Sequence, residues 1–156
     1  MTPRPGAEGT QAGARRLYVA EPPPQFAQRA PAVVDASLIA AVLFAEPEQA
    51  QAAGRIAACQ PVAPDLLRDE IANVAATKLR RGEDEAALRA ALLDLEALGI
   101  DWVPVQAAAA FDLAARYALS AYDAAYLAVA AQLRCPLLTF DRRLAEAARQ
   151  HLDAST

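Results

Sequence analysis

Two carboxylates each follow directly after a short apolar run. Asp35 follows Val33 and Val34, and Asp141 follows the run at residues 136–140. Apolar runs of this length predict buried strands, and ligands in open parallel sheets bind at the carboxyl ends of the strands. Asp35 and Asp141 are therefore expected at one shared edge of a sheet. Because Asp is also favoured as a helix N-cap, the pattern leaves a purely capping function open for both.

Two further carboxylates fall on the apolar faces of predicted helices. At 100° per residue, Glu70 lies inside an apolar stripe and the neighbouring Asp69 lies outside it. The same construction directs Asp123 towards the core. A buried carboxylate is costly unless it is paired or bound to a metal ion. Glu70 and Asp123 therefore need a cationic partner, which for Asp123 is either an arginine such as Arg116 or a metal ion.

Four carboxylates converging at one rim would repel one another. Two such charges about 4 Å apart repel by about 4 kcal/mol at an effective dielectric near 20. Bound cations would hold the cluster ionised, and oxygen ligands favour Mg²⁺ or Mn²⁺, which coordinate phosphate oxygens at the same time. The pattern indicates metal-dependent phosphodiester chemistry.

From Pro31 onwards, short apolar runs alternate with longer helical stretches. Strands are predicted at residues 32–34, 61–63, 100–105 and 136–140. Helices are predicted at 37–44, 47–58, 66–81, 83–98, 106–117, 120–134 and 142–151, with Asp65 capping the third and Gly82 ending it. This order predicts an α/β domain over residues 31–151, with a mainly parallel sheet of four to five strands.

The flanks differ from this domain in composition. Residues 1–30 hold five of the 11 prolines and three of the six glycines, and we expect a flexible N-terminal arm there. Residues 152–156 are expected to form a short tail. No run has the length and hydropathy of a membrane helix or of the apolar core of a secretory signal, so a cytoplasmic location is expected.

Composition excludes several other chemistries. The 156 residues contain a single histidine, His151, so a core Ser/His/Asp hydrolase or a two-histidine nuclease is excluded. Cys59 and Cys135 have no zinc-site or redox-motif spacing. The formal net charge is −4 although the first 30 residues contribute about +2, so the remaining chain is acidic. An acidic domain needs bound metal ions to hold nucleic acid electrostatically.

Four segments carry a resemblance to a known family. They are VVDAS at 33–37, DEIANV at 69–74, SAYDAAYLAVA at 120–130 and LLTFDRRL at 137–144. In this order they resemble the PIN-domain ribonucleases, most closely those of the VapC toxin type. The resemblance implies a three-layer α/β/α sandwich and RNA cleavage with one or two Mg²⁺ or Mn²⁺ ions. It assigns the metal-binding and catalytic roles to Asp35, Glu70, Asp123 and Asp141.

The resemblance also implies supporting residues and partners. Ser37, Asn73 and Thr139 would orient the carboxylates, although local capping explains each of them as well. Arg142 and Arg143 directly follow Asp141 and are candidates for RNA phosphate contacts. A VapC-type toxin would form a homodimer and bind a small antitoxin whose tail enters the acidic cleft. Two features depart from the family pattern, namely the N-terminal arm and the lack of a further strand after the last helix.

Two alternative functions stay open at this point. A phosphatase of the haloacid dehalogenase type would need a second Asp at position 37, where this chain has Ser37. A catalytically silent PIN-like interaction module would use the same fold without the chemistry. Metal binding would separate the silent module from an enzyme.

Overall fold

The computed structural model describes residues 29–153, so the predicted arm up to residue 28 and the last three residues of the predicted tail lie outside it. The described chain contains four strands and seven helices. In order they are β1 (Pro31–Val34), α1 (Ala36–Leu43), α2 (Gln49–Ala57), β2 (Gln60–Pro64), α3 (Leu66–Arg80), α4 (Glu85–Ala97), β3 (Asp101–Val103), α5 (Ala107–Tyr117), α6 (Ala121–Leu133), β4 (Leu137–Leu138) and α7 (Arg142–Asp153). The alternation confirms the predicted α/β class.

The strands form one parallel sheet in the order β3-β2-β1-β4. The chain therefore moves from β1 outwards to β3 and then returns to the other side of β1. Val34 of β1 pairs with Leu138 of β4, so the residues that follow these two strands lie next to each other. The reversal makes a topological switch point between β1 and β4, which is where open α/β sheets bind ligands.

Helices cover both faces of the sheet. Parallel connections are right-handed in nearly all proteins, so the two outward connections place α1 to α4 on one face, and the return places α5 and α6 on the other. α7 follows β4 and packs on α6. Consistent with this, α1 packs on α2, α3 and α4, whereas α6 packs on α5, α7 and the strands β1, β2 and β4. The result is the three-layer α/β/α sandwich that the family resemblance implied.

The core lies where β1 and α6 meet. Val33, Val34, Leu127 and Val129 are completely buried, and Tyr126 is 1% exposed. Burying a side chain of this size contributes about 1.5–3 kcal/mol. Since the core residues of β1 directly precede Asp35 and those of α6 directly follow Asp123, packing of the core fixes the backbone that carries both carboxylates.

The start of α3 differs from the prediction that Asp65 caps it. Asp65 has helical backbone angles and its side chain caps no backbone amide; instead it pairs with Arg68 at 3.0 Å. An N-cap needs an extended backbone to turn its side chain onto the first amides, so a helical Asp65 does not cap. The predicted stop at Gly82 is confirmed, since Gly82 has φ +90°, a conformation that glycine adopts without strain.

Strands β3 and β4 are shorter than predicted. β3 ends at Val103 because Pro104 follows and lacks the N–H that would continue the ladder. β4 ends at Leu138 because the backbone amides that follow it donate to side chains and not to the β1 backbone. The Phe140 amide donates to the Ser37 hydroxyl, and the Asp141 amide donates to the Thr139 hydroxyl. Among residues 29–153, no helix has the length and hydropathy that a bilayer crossing requires.

Candidate active site

Asp35 lies at the switch point and is 5% exposed. It immediately follows β1, and the Thr139 that follows β4 lies beside it. One carboxylate oxygen, Oδ1, accepts hydrogen bonds from the Ser37 hydroxyl at 2.7 Å and from the Leu38 amide at 3.1 Å. The other, Oδ2, accepts from the Thr139 hydroxyl at 2.6 Å. Burial raises the pKa of Asp35 and these hydrogen bonds partly oppose the shift.

The two hydroxyls that bond Asp35 are themselves held by backbone amides. The Phe140 amide donates to the Ser37 hydroxyl at 2.9 Å, and the Asp141 amide donates to the Thr139 hydroxyl at 2.8 Å. Each hydroxyl oxygen therefore accepts from the chain after β4, which directs its proton towards Asp35. We call Ser37 and Thr139 with these bonds the hydroxyl clamp. It fixes the orientation of the Asp35 carboxylate and joins the ends of β1 and β4.

Asp141 is exposed and immediately precedes α7. Its Oδ1 accepts from the Leu144 amide at 2.9 Å, so it caps the helix as the sequence allowed. Asp35 caps α1 in the same way through Leu38. Capping occupies one oxygen of Asp141, and through the clamp the backbone of Asp141 is connected to Asp35. Capping by Asp141 uses Oδ1, which would leave its Oδ2 for a metal ion.

Glu70 faces inwards from α3 and is half-buried. The hydroxyl of Tyr126, on α6, donates a short hydrogen bond to its Oε2. The pKa of Glu70 is raised, first by burial and further by the negative charges of Asp123 and Asp35, while the Tyr126 bond opposes the shift. The pKa of Tyr126 is itself raised, mainly by burial, so its hydroxyl stays protonated and remains a donor.

Asp123 lies in the first turn of α6 and is half-buried. The Ser120 hydroxyl donates to its Oδ2 at 2.7 Å, and the Asp123 amide donates back to Ser120 at 3.0 Å. The partially positive end of α6 favours a carboxylate at this position. Asp123 forms no ion pair with Arg116 in the described chain. The Arg116 guanidinium instead lies 5.3 Å from the centre of the Tyr117 ring.

Comparison with known proteins assigns the family. The PIN-domain profile matches residues 32–150, which is most of the chain. This chain is a member of the PIN-domain family. It is 38% identical over 120 residues to Ribonuclease VapC3 from Pyrobaculum aerophilum, a match that covers 73% of this chain and 92% of that protein. The crystal structure of PAE2754 from the same organism has a similar fold, with a TM-score of 0.60 and 22% identity over 80% of this chain and 96% of that one.

The four candidate carboxylates of this PIN domain have no cationic partner among residues 29–153. None of the ion pairs within residues 29–153 includes Asp35, Glu70, Asp123 or Asp141. The buried members instead carry raised pKa values, which is the result of burial without a compensating charge. As the side chains stand, no three His, Cys, Asp or Glu residues of the described chain are close enough together to hold a metal ion. The carboxylate oxygens of these residues are the donor type that a hard divalent ion prefers.

The predicted supporting residues fall in two groups. Ser37 and Thr139 bond directly to Asp35. Asn73 is exposed on α3, and within the described chain its side chain forms no hydrogen bond with any of the carboxylates. Its backbone carbonyl accepts a hydrogen bond from the Thr77 hydroxyl at 2.9 Å. Asp69 is exposed, as its position outside the apolar stripe predicted.

Sequence reasoning missed Tyr126 as the partner of Glu70. The helical repeat puts Tyr126 on the inward face of α6, where it counts as an apolar residue. A buried tyrosine hydroxyl nearly always has a hydrogen-bond partner, so an inward Tyr on one helix and an inward Glu on another were the available signal. The sequence indicates Ser120 as a cap, but not its bond to the Asp123 side chain.

Proposed function

We propose that this PIN domain is a metal-dependent endoribonuclease that hydrolyses RNA phosphodiester bonds. The observation that carries the proposal is a pair of inward carboxylates near the switch point of a PIN domain. In the part of the chain that the structure describes, neither Asp35 nor Glu70 has a cationic partner. The similarity to a protein named Ribonuclease VapC3 supports RNA as the substrate. The family assignment disfavours a phosphatase of the haloacid dehalogenase type.

Asp35, Glu70, Asp123 and Asp141 are the proposed ligands for one or two Mg²⁺ or Mn²⁺ ions. When bound, a divalent ion activates water for attack on phosphorus and neutralises charge on the phosphodiester. The protein contributes orientation. The hydroxyl clamp presents Asp35, the protonated Tyr126 hydroxyl holds Glu70, and Ser120 holds Asp123. Asn73 is proposed to act from the rim of the site.

Arg142 and Arg143 are proposed to contact RNA phosphates beside Asp141. Both are exposed and begin α7, directly after that carboxylate. An arginine guanidinium suits this role because its fork of donors matches a phosphate group.

We further propose that the protein is the toxin of a VapBC-type pair that acts in the cytoplasm. Its partner would be a small antitoxin whose tail enters the acidic cleft, with a basic side chain in place of the metal charge. The toxin itself would form a homodimer. Co-expression with a neighbouring small open reading frame, followed by size-exclusion chromatography with light scattering, tests both assemblies.

The nuclease proposal is tested by replacing Asp123 with Asn. We expect Asp123→Asn to lower Mg²⁺-dependent RNA cleavage at least about a hundredfold, because a charged ligand is removed while the shape is retained. Its stability in EDTA should equal or exceed that of the wild type, because the like charge near Glu70 is removed.

Asp69→Asn is the matched control, because the same change is made on the exposed side of α3. It should cleave like the wild type. Cleavage of a fluorescently labelled RNA, with Mg²⁺ and with EDTA, is the measurement. Unchanged cleavage by Asp123→Asn would remove Asp123 from the site, and no metal-dependent cleavage by the wild type would leave the silent interaction module.

A further inference from the structure

A basic cleft lies between the end of α5 and the first turns of α7. Its volume is about 550 Å³. Its walls carry Arg116, Arg142, Arg143 and Arg149, together with Glu146 and Tyr117. Four arginines and one glutamate give these walls a formal charge of +3, on a chain whose formal net charge is −4. We call this feature the arginine cleft.

Most of the positive charge in the arginine cleft is uncompensated. Within the described chain, Arg149 is the only one of the four that forms an ion pair, with Glu146. Arg143 donates to the Ala118 carbonyl at 2.5 Å, which anchors it and leaves other N–H groups to bind a ligand. Arg116 and Arg142 form no ion pair with residues 29–153. An unpaired cluster of this kind attracts an anion with several charges.

The cleft adjoins the proposed catalytic carboxylates through two chain segments. Arg142 and Arg143 directly follow Asp141 in the first turn of α7. On the opposite wall, Tyr117 and Ala118 end α5, and Ser120 begins α6, the helix that carries Asp123. A polyanion that reaches Asp141 and Asp123 can therefore continue into the cleft.

We infer that the arginine cleft binds the phosphates of the RNA strand on one side of the cleavage point, with Arg116 and Arg142 as the principal contacts. The inference rests on the proposed nuclease function and adds the path that the bound RNA strand follows away from the cleavage point. The carboxylates repel RNA while the cleft attracts it, so the cleft supplies the grip that the acidic domain lacks. Continuity with the cleavage site favours RNA over an acidic protein segment as the ligand.

The test measures binding apart from cleavage. The full chain is titrated in EDTA against a labelled single-stranded RNA, and fluorescence anisotropy is recorded at several salt concentrations. Arg116→Gln and Arg142→Gln should each weaken binding about fivefold or more, because each removes a charge-assisted hydrogen bond to phosphate. Each should also lower the slope of log K against log salt by about 0.7 for every phosphate that the variant no longer neutralises.

Arg89→Gln is the matched control, since Arg89 is an exposed arginine paired with Glu85 on α4, outside the cleft. It should bind like the wild type. Arg116→Lys keeps the charge and should keep the salt slope, which would assign the weakened binding of Arg116→Gln to the lost charge. Equal weakening by Arg89→Gln and Arg116→Gln would overturn the inference, because binding would then follow net charge alone.

Two competitors and one activity measurement separate the alternatives. Inorganic phosphate at the same phosphate concentration should compete poorly with RNA; full displacement by it would make the cleft a free-anion site and overturn the inference. Displacement by an acidic peptide but not by unlabelled RNA would overturn it in favour of a protein ligand. If the cleft variants bound RNA like the wild type and Mg²⁺-dependent cleavage were normal, the inference that the cleft binds RNA would be refuted and the nuclease proposal would stand. Cleft-dependent binding without any cleavage would refute the nuclease and leave the cleft.

Discussion

Replacing Thr139 with Val tests whether the hydroxyl clamp holds Asp35 in place. Valine keeps the branched shape and removes the hydroxyl that donates to Asp35 Oδ2 at 2.6 Å and accepts from the Asp141 amide at 2.8 Å. A hydrogen bond to a charged group contributes about 1.5–3 kcal/mol. Asp141 is exposed, so water can replace the bond to its amide and that part of the effect is small.

The expected loss of stability for Thr139→Val is therefore about 2–3 kcal/mol near neutral pH. For a domain of this size that corresponds to a fall in Tm of roughly 10 °C. Thr139→Ser keeps the hydroxyl and removes one methyl group, so its stability should fall by about 0.8 kcal/mol or less. Thermal unfolding of both variants, followed by circular dichroism in EDTA, is the measurement.

The effect of Thr139→Val should also depend on pH. The Thr139 bond favours the ionised carboxylate and lowers the pKa of Asp35 against the raising effect of burial. Its removal raises the native pKa of Asp35 further while the unfolded pKa is unchanged. The stability difference between variant and wild type is thus complete above both native pKa values and shrinks as the pH falls through them. If Thr139→Val and Thr139→Ser had the same Tm at every pH, the proposed function of the hydroxyl clamp would be refuted.

Two other predictions concern the arm and the metal. Deleting residues 1–28 should leave a folded, metal-binding domain whose Tm changes by less than about 3 °C. The reason is that residues 29 and 30, which the deletion keeps, already form hydrogen bonds with Ala57 and Gln60. Loss of cooperative thermal unfolding would contradict this prediction. The raised pKa values of Asp35 and Glu70 mean that the native state keeps protons that the unfolded chain releases, so the metal-free protein loses stability as pH rises from the unfolded values through the raised ones. Mg²⁺ binds the ionised carboxylates and should therefore raise the Tm more at pH 8 than at pH 5. At a hundred times its Kd, bound Mg²⁺ adds about 2.7 kcal/mol to the free energy of unfolding. Equal Tm shifts at the two pH values would count against a shared metal site.

The sequence predicted the strand and helix order because hydrophobic periodicity is a local signal. The apolar stripe predicts an inward direction for Glu70, and the structure buries it partly against Tyr126. The placement of Asp35 beside the end of β4 also follows from simple reasoning, since parallel strands end at one edge. These inferences need only the chain direction and the helical repeat.

The remaining features depend on pairings between distant residues. The Thr139 bond to Asp35 spans 104 positions and the Tyr126 bond to Glu70 spans 56, so neither has a local signature. The failed prediction at Asp65 has a local origin instead, because Asp65 has helical backbone angles and its side chain pairs with Arg68 three positions along the chain. The arginine cleft combines the end of α5 with α7, and only the fold brings these segments together.

The position of β4 has a consequence for biosynthesis. Asp35 is among the first residues of the domain to be translated, whereas Thr139 and Asp141 are among the last. A nascent chain still lacking its final segment has neither Thr139 nor the Asp141 carboxylate, so Asp35 is then held only by its local hydrogen bonds from Ser37 and Leu38. The order of synthesis thus completes the surroundings of Asp35 only when translation of this domain is nearly finished, and for the proposed nuclease this would delay RNA cleavage until then.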